Sequence, residues 1–385
     1  MAIGSGKLTR RAYGLDEVAL VPSLKTLDPD CVDISVTIAG IKMALPIFGA
    51  AMDGVISPKT AVLFGQHGGI GVLNIQGVWT RYDDAEKSLE KITSVGREEY
   101  VELMQRIYKE PVKEKLITKR IQEMKAGNVP VVVSCTPQDA EKFAEIAEAA
   151  GADAFLVQST VVSTEHVSTS GYKLDLAKLC KSRKIPIMVG NCVTYEVALM
   201  LMETGVQAVF VGIGPGAACT SRGVLGVGLP MATAIADCSA AREDYFKKTK
   251  RYVAIVADGG MAVGGDVCKA IACGADAVMI GSPFAKAEEA PGRGFHWGMA
   301  TPNAVLPRGT RIKVGTIGTL GSILRGPAVY DDGSQNFQGA IMTSMGTLGA
   351  ANIREMQKVE VVIAPSLLTE GKVYQKAQQL GMYKS

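Results

Sequence analysis

A chain of 385 residues, 47% hydrophobic and 21% charged, can bury a large core, as one big α/β domain or as two smaller ones. Its 41 Lys and Arg against 38 Asp and Glu leave a formal charge of only +3 with no long basic run, which disfavours nucleic acid as a partner. No charged start followed by an apolar run opens the sequence, and no apolar run reaches the roughly 18–20 residues that span a bilayer, so a cytoplasmic protein that does not engage a membrane is expected.

Short apolar runs recur in chain order at "LPIFGA" (45–50), "GGIGVLN" (68–74), "VPVVVS" (129–134) and "GADAFLVQS" (151–159), then at "IPIMVG" (185–190), "GVQAVFVGI" (205–213), "YVAIVAD" (252–258) and "GADAVMIGS" (274–282). Ala-rich amphipathic segments at 138–150, 194–204 and 264–273 precede three of them, which reads as helix, turn and buried strand in repetition. Eight strands buried on both faces with helices between them predict a single (β/α)8 barrel domain over residues 1–385. An open doubly wound sheet is the rival, disfavoured because no GxGxxG turn follows the first strand.

Two segments stand outside the repeat. Residues 81–128, between the second and third strands, are highly charged and are expected to form a solvated helical insertion. Residues 291–340, after the eighth strand, are rich in Gly and Pro and read as a flap at the catalytic face. The eight cysteines include no CxxC pair, so neither a disulfide framework nor a zinc site is expected. Cys180, Cys238, Cys268 and Cys273 fall in or beside helical segments and read as inert core residues.

Barrel enzymes carry their reactive groups at the carboxyl ends of the strands. Here those ends include "AAMD" (50–53), "QST" (158–160), "GNC" (190–192), "GIGPGAACTSR" (212–222), "ADGG" (257–260) and "GSPF" (281–284). Gly259, Gly260, Gly281 and Ser282 follow the last two strands and offer amides with little side chain to block an anion. Asp258 beside them suits a ribose diol, since a carboxylate accepts two hydroxyl donors. Cys219 shares the same mouth, in a loop of small residues before an apparent helix at "GVLGVGLPMATAIADCSAAR", and reads as a nucleophile.

These motifs resemble the IMP dehydrogenase and GMP reductase superfamily, from about residue 12 to about 363. The resemblance rests on "AAMDGVISPKTAVLFGQHGGIGVLN", "VGNCVTYEVA", "GIGPGAACTSR" with "GVGLP", "ADGGMAVGGDVCKAIACGADAVMIGSPFAKAEEAPG" and "GAIMTSMGTLGAANIREMQ". It implies a (β/α)8 barrel, assembled as a homotetramer, and a purine nucleotide attacked at C2 by Cys219. It places ribose and phosphate on Asp258, Gly259, Gly260, Gly281 and Ser282, the base against Gly298 and Met299, and Met52 and Asn191 in the pocket lining. The cofactor side falls on Gln158, Ser159 and Thr160, and carbonyls of Gly214, Gly216 and Cys219 match a K+ position.

A dehydrogenase of this family passes hydride from IMP to NAD and hydrolyses the adduct to XMP; a reductase expels ammonia from GMP and accepts hydride from NADPH. Residues 81–128 are too few for the regulatory CBS pair that dehydrogenases usually carry, and "TPNAV" (301–305) holds no Arg-Tyr pair to activate water. The expectation is therefore GMP reductase, with a divergent NAD-dependent IMP dehydrogenase or a silent purine-nucleotide-binding regulator as alternatives. The chain departs from the family at four positions: Ser221 replaces Thr beside Thr220, Arg308 replaces the catalytic Glu, Gln158 replaces Asp and Ala217 replaces Ser. Arg308 or Arg311 activates water only on losing a proton, which a guanidinium resists, so the sequence assigns no base.

Overall fold

Each apolar run becomes a strand because both of its faces find a partner. The computed structural model describes residues 2–3, 6–169, 173–298, 310–365 and 372–381. Eight parallel strands close a barrel: β1 (Ile47–Gly49), β2 (Ile70–Asn74), β3 (Val132–Cys135), β4 (Ala154–Gln158), β5 (Ile187–Cys192), β6 (Ala208–Val211), β7 (Ala254–Asp258) and β8 (Ala277–Ile280). They pair in chain order, with β8 returning to β1. All eight predicted strands are present, and the single-domain (β/α)8 barrel is the architecture.

Alternate residues divide between two cores, as the period of two in a strand requires. Phe48, Val72, Leu156, Met188, Phe210, Val256 and Met279 fill the barrel interior, with Phe48 and Phe210 meeting edge-on at 5.7 Å. Ile47, Leu73, Val133, Val157, Val189, Val209 and Ile280 face the surrounding helices. A hairpin of Val36–Ile38 against Ile41–Met43 adds Ile38 and Met43 to the interior cluster.

Helix α1 (Pro58–Gln66) follows β1. Between β2 and β3 the chain forms α2 (Ala85–Ser94), α3 (Tyr100–Lys109) and α4 (Glu114–Lys125). This segment is helical as expected but not simply solvated: Leu89, Ile92, Met104, Ile107 and Tyr108 are buried in the main core. The charge hid this, because a helix exposes its polar face while burying an apolar stripe. The predicted Ala-rich helices are α5 (Ala140–Ala150), α7 (Tyr195–Glu203) and α10 (Gly264–Ala272), with α6 (Leu176–Ser182) preceding β5.

The helix expected after Cys219 is broken in two. A short α8 (Ser221–Leu225) ends at Gly226 with φ +67, Pro230 follows, and the long α9 (Met231–Thr249) starts only there. Left-handed Gly226 and a proline before the next turn stop the first helix. In the 291–340 region, Phe295–His296 pairs antiparallel with Ile312–Lys313 and brings the two sides of the segment together. Among the described residues, no helix is long and apolar enough to cross a membrane.

Candidate active site

The carboxyl ends of the strands surround a cavity of about 490 Å³, within the range of small-molecule sites. Its lining includes Met52, Gln158, Ser159, Thr160, Asn191, Gly214, Gly216, Cys219, Thr220, Ser221, Asp258, Gly259, Gly260, Gly281, Ser282 and Gly298. These are the site residues expected from the sequence, scattered over 247 positions and brought together by the barrel. Met299 and Arg308 lie outside the described residues. Arg311 does not line the cavity: its guanidinium donates to the carbonyls of Ile92 and Val95, so it is not placed to activate water there.

Cys219 is exposed, on a turn closed by its own amide donating to the Gly216 carbonyl at 3.0 Å. Its Sγ lies 3.3 Å from Ser221 Oγ, which is buried. That contact gives the thiol proton a hydroxyl to move to. Burial pushes the thiols of Cys180, Cys268 and Cys273 up to about 11 and raises that of Cys135, while contact with the Cys192 thiol, then burial, raises that of Cys238, which makes each a poor nucleophile at neutral pH. Cys31 is the other exposed cysteine, on a short turn away from the cavity lining.

Asp258, at the end of β7, accepts from Asn191 Nδ2 at 2.7 Å and Gln158 Nε2 at 2.8 Å, both on Oδ2. Asn191 also donates to the Gly212 carbonyl, at 2.8 Å. Burial raises the Asp258 carboxyl to about 6 against the lowering effect of those two donors. Gln158, expected on the cofactor side, therefore has its amide committed to holding this carboxylate, which leaves Oδ1 for a hydroxylated ligand.

The glycines after β7 make the turn more than they supply donors. Gly259 and Gly260 have φ of +81 and +77, and a Cβ on Gly260 would stand 2.9 Å from Pro215 Cβ. The Gly259 amide donates to the Met279 carbonyl at 3.0 Å, so it extends the barrel ladder and is not the anion donor that was expected. After β8, Ser282 opens the four-residue helix α11 (Ser282–Ala285), numbered in chain order after α10. Its Oγ lies 3.0 Å from His296 Nε2.

His296 was missed from sequence. It is 1% exposed, lines the cavity and has no partner at Nδ1 among the described residues; burial alone lowers its imidazole to about 4, so it is neutral. A buried aromatic inside a Gly-rich segment gave no local pattern to read. At the expected K+ position, the Gly216 carbonyl accepts the Cys219 amide with one of its two lone pairs. Among the described residues, no group of three His, Cys, Asp or Glu is placed to hold a metal ion.

The family model for the IMP dehydrogenase / GMP reductase domain matches residues 12–374. An uncharacterized oxidoreductase of Mycolicibacterium smegmatis is 35% identical over 370 residues, covering 94% of this chain and 99% of that one. The inosine-5'-monophosphate dehydrogenase of Borreliella burgdorferi is 28% identical over 402 residues, covering 91% of this chain and 93% of that one. The crystal structure of an IMP dehydrogenase/GMP reductase-like protein from Corynebacterium glutamicum superposes with a TM-score of 0.89 at 35% identity, covering 94% and 97% of the two chains. With barrel, cavity and cysteine loop all in agreement, this chain belongs to the IMP dehydrogenase / GMP reductase family of purine nucleotide oxidoreductases.

Proposed function

We propose that the protein oxidises IMP to XMP with NAD, through a covalent bond between Cys219 and C2 of the purine. The observation that carries this reading is the exposed Cys219 beside the buried Ser221 hydroxyl, in the lining of a cavity that also holds Asp258 and the turns after β7 and β8. Cys219 Sγ adds to C2 as its thiol proton passes to Ser221, which returns that proton to the sulfur when the thiolate is released. The C2 hydrogen leaves as hydride to NAD, the second substrate, giving NADH and a C2–sulfur adduct. Water then attacks C2, the carbon–sulfur bond breaks, the thiolate returns and one proton is released with XMP. Asp258 accepts the ribose hydroxyls through Oδ1, and Ser282 with the Gly281 turn receives the phosphate. Met52 and Gly298 bound the base, while Ser159 and Thr160 line the side open to the nicotinamide.

One observation supports the dehydrogenase direction over the reductase expected from sequence. The Borreliella burgdorferi dehydrogenase aligns over 402 positions with this chain of 385 residues, so a chain without room for a CBS pair carries that name.

GMP reduction with NADPH is the second reading, favoured by the lack of an Arg-Tyr pair in "TPNAV". The assembly proposed is a homotetramer, supported by the exposed Val224, Leu225 and Val227 beside the cysteine loop. Purified protein with IMP and NAD should produce NADH and XMP, and with GMP and NADPH should release no ammonia. The reverse pattern replaces the first reading with the second, and nucleotide binding without turnover in either direction removes both.

A further inference from the structure

The helices between β2 and β3 reach the cavity walls through a buried polar contact. Tyr108 Oη accepts from Trp297 Nε1 at 2.8 Å and donates to Asp53 Oδ2 at 2.6 Å. All three residues are buried, Trp297 completely. Asp53 directly follows Met52, and Trp297 lies between His296 and Gly298; Met52, His296 and Gly298 all line the cavity. Only a hydroxyl that both accepts and donates can serve the indole and the carboxylate together.

The same helices grip the partner strand. Arg311, just before Ile312–Lys313, donates to the carbonyls of Ile92 at the end of α2 and Val95 beyond it. Its guanidinium stands 4.8 Å from the Tyr100 ring centre and 4.9 Å from that of Phe295. Glu90 adds an ion pair to Arg293 at 3.1 Å, exposed on both sides and worth little. Both members of the strand pair that carries His296 are thus tied to one inserted helical unit.

We propose that Tyr108 and Arg311 are positioning residues for the purine nucleotide: they fix the strand pair bearing His296 and Gly298, and the turn bearing Met52, at the spacing the nucleotide requires. This rests on the reading of the cavity as a purine nucleotide site. The insertion is then a brace for one substrate's walls. The face that lines the nicotinamide side, Ser159 and Thr160, belongs to the loop after β4 and has no part in the brace.

The test uses the full chain. Tyr108→Phe and Arg311→Lys are each expected to raise KM for the nucleotide about tenfold, the effect of losing one or two positioning hydrogen bonds, with KM for the dinucleotide within about twofold. Tyr108→Phe combined with Trp297→Phe should be no worse than the poorer single change, since the indole bond lost in Trp297→Phe is already lost in Tyr108→Phe. Lys87→Ala, on the exposed outer face of α2, should change neither constant. Unchanged nucleotide KM, or an equal rise in both constants, overturns the proposal.

A second readout does not depend on turnover. The chain has two tryptophans, so 5-fluorotryptophan labelling gives two fluorine signals, and Tyr108→Phe and nucleotide should each move the Trp297 signal. A Trp297 signal that either leaves in place also overturns the proposal. A wild type that neither turns over nor binds IMP or GMP would refute the nucleotide reading of the cavity, a failure distinct from a wild type that binds and a variant that binds equally well. If Tyr108→Phe does not fold, Arg311→Lys carries the same KM comparison.

Discussion

Asp258→Asn should make the protein more stable and a poorer binder of nucleotide. The carboxyl is held at about 6 against an ordinary 3.8, chiefly because burial disfavours its charge. A carboxyl whose folded pKa is raised favours folding fully below 3.8, and that contribution is lost as pH rises through about 6. The gap converts to about 3 kcal/mol at neutral pH, an order-of-magnitude figure. Asparagine keeps an oxygen for Gln158 and Asn191 but carries no charge to bury. Equilibrium urea unfolding should therefore show the variant about 2–3 kcal/mol more stable near pH 7.5, about half that near pH 5, and close to equal near pH 4. Nucleotide affinity of the wild type should fall as pH drops below about 6, while the variant binds weakly with little dependence on pH. A variant no more stable than wild type at neutral pH, or a gain that does not shrink with acid, refutes the argument.

Three further outcomes follow from the same geometry. Cys219→Ala should abolish turnover while leaving nucleotide affinity within a few-fold and the melting temperature unchanged; retained turnover would rule out the covalent route. Arg242→Met leaves Asp276 buried without its guanidinium, now 2.9 Å away, and should cost about 3–5 kcal/mol by urea unfolding. A loss under about 1 kcal/mol would mean that Tyr252, Gln357 and the Ile255 amide suffice for that carboxylate. His296 is held near 4 against an ordinary 6.5, so its contribution is present above 6.5 and lost as pH falls toward 4. His296→Gln should flatten that acid-side loss in stability measured between those limits, and an unchanged slope would show that another group is responsible.

What the sequence by itself determined is the barrel and most of the residues around its mouth. Each strand is buried on both faces, so eight short apolar runs were enough to count, and the reactive positions follow directly from where those runs end. Cys219 was legible because a thiol among glycines, proline and alanines stands apart from cysteines set in apolar helices. The break after α8 was missed despite Gly226, Gly228 and Pro230, because the apolar residues on either side continue a helical pattern.

Only the tertiary structure decided how those residues are supported. Gln158, expected on the cofactor side, donates to and supports Asp258, a partner 100 positions away. The Gly259 amide went to the barrel ladder, and Arg311 to carbonyls of the inserted helices. Tyr108 and Trp297 meet across 189 positions, in a segment whose charge made it read as solvent-facing. Burial pattern is a local property of the chain and shows in its period. A hydrogen bond between distant side chains depends on two backbones arriving at the same place, and no local pattern records that.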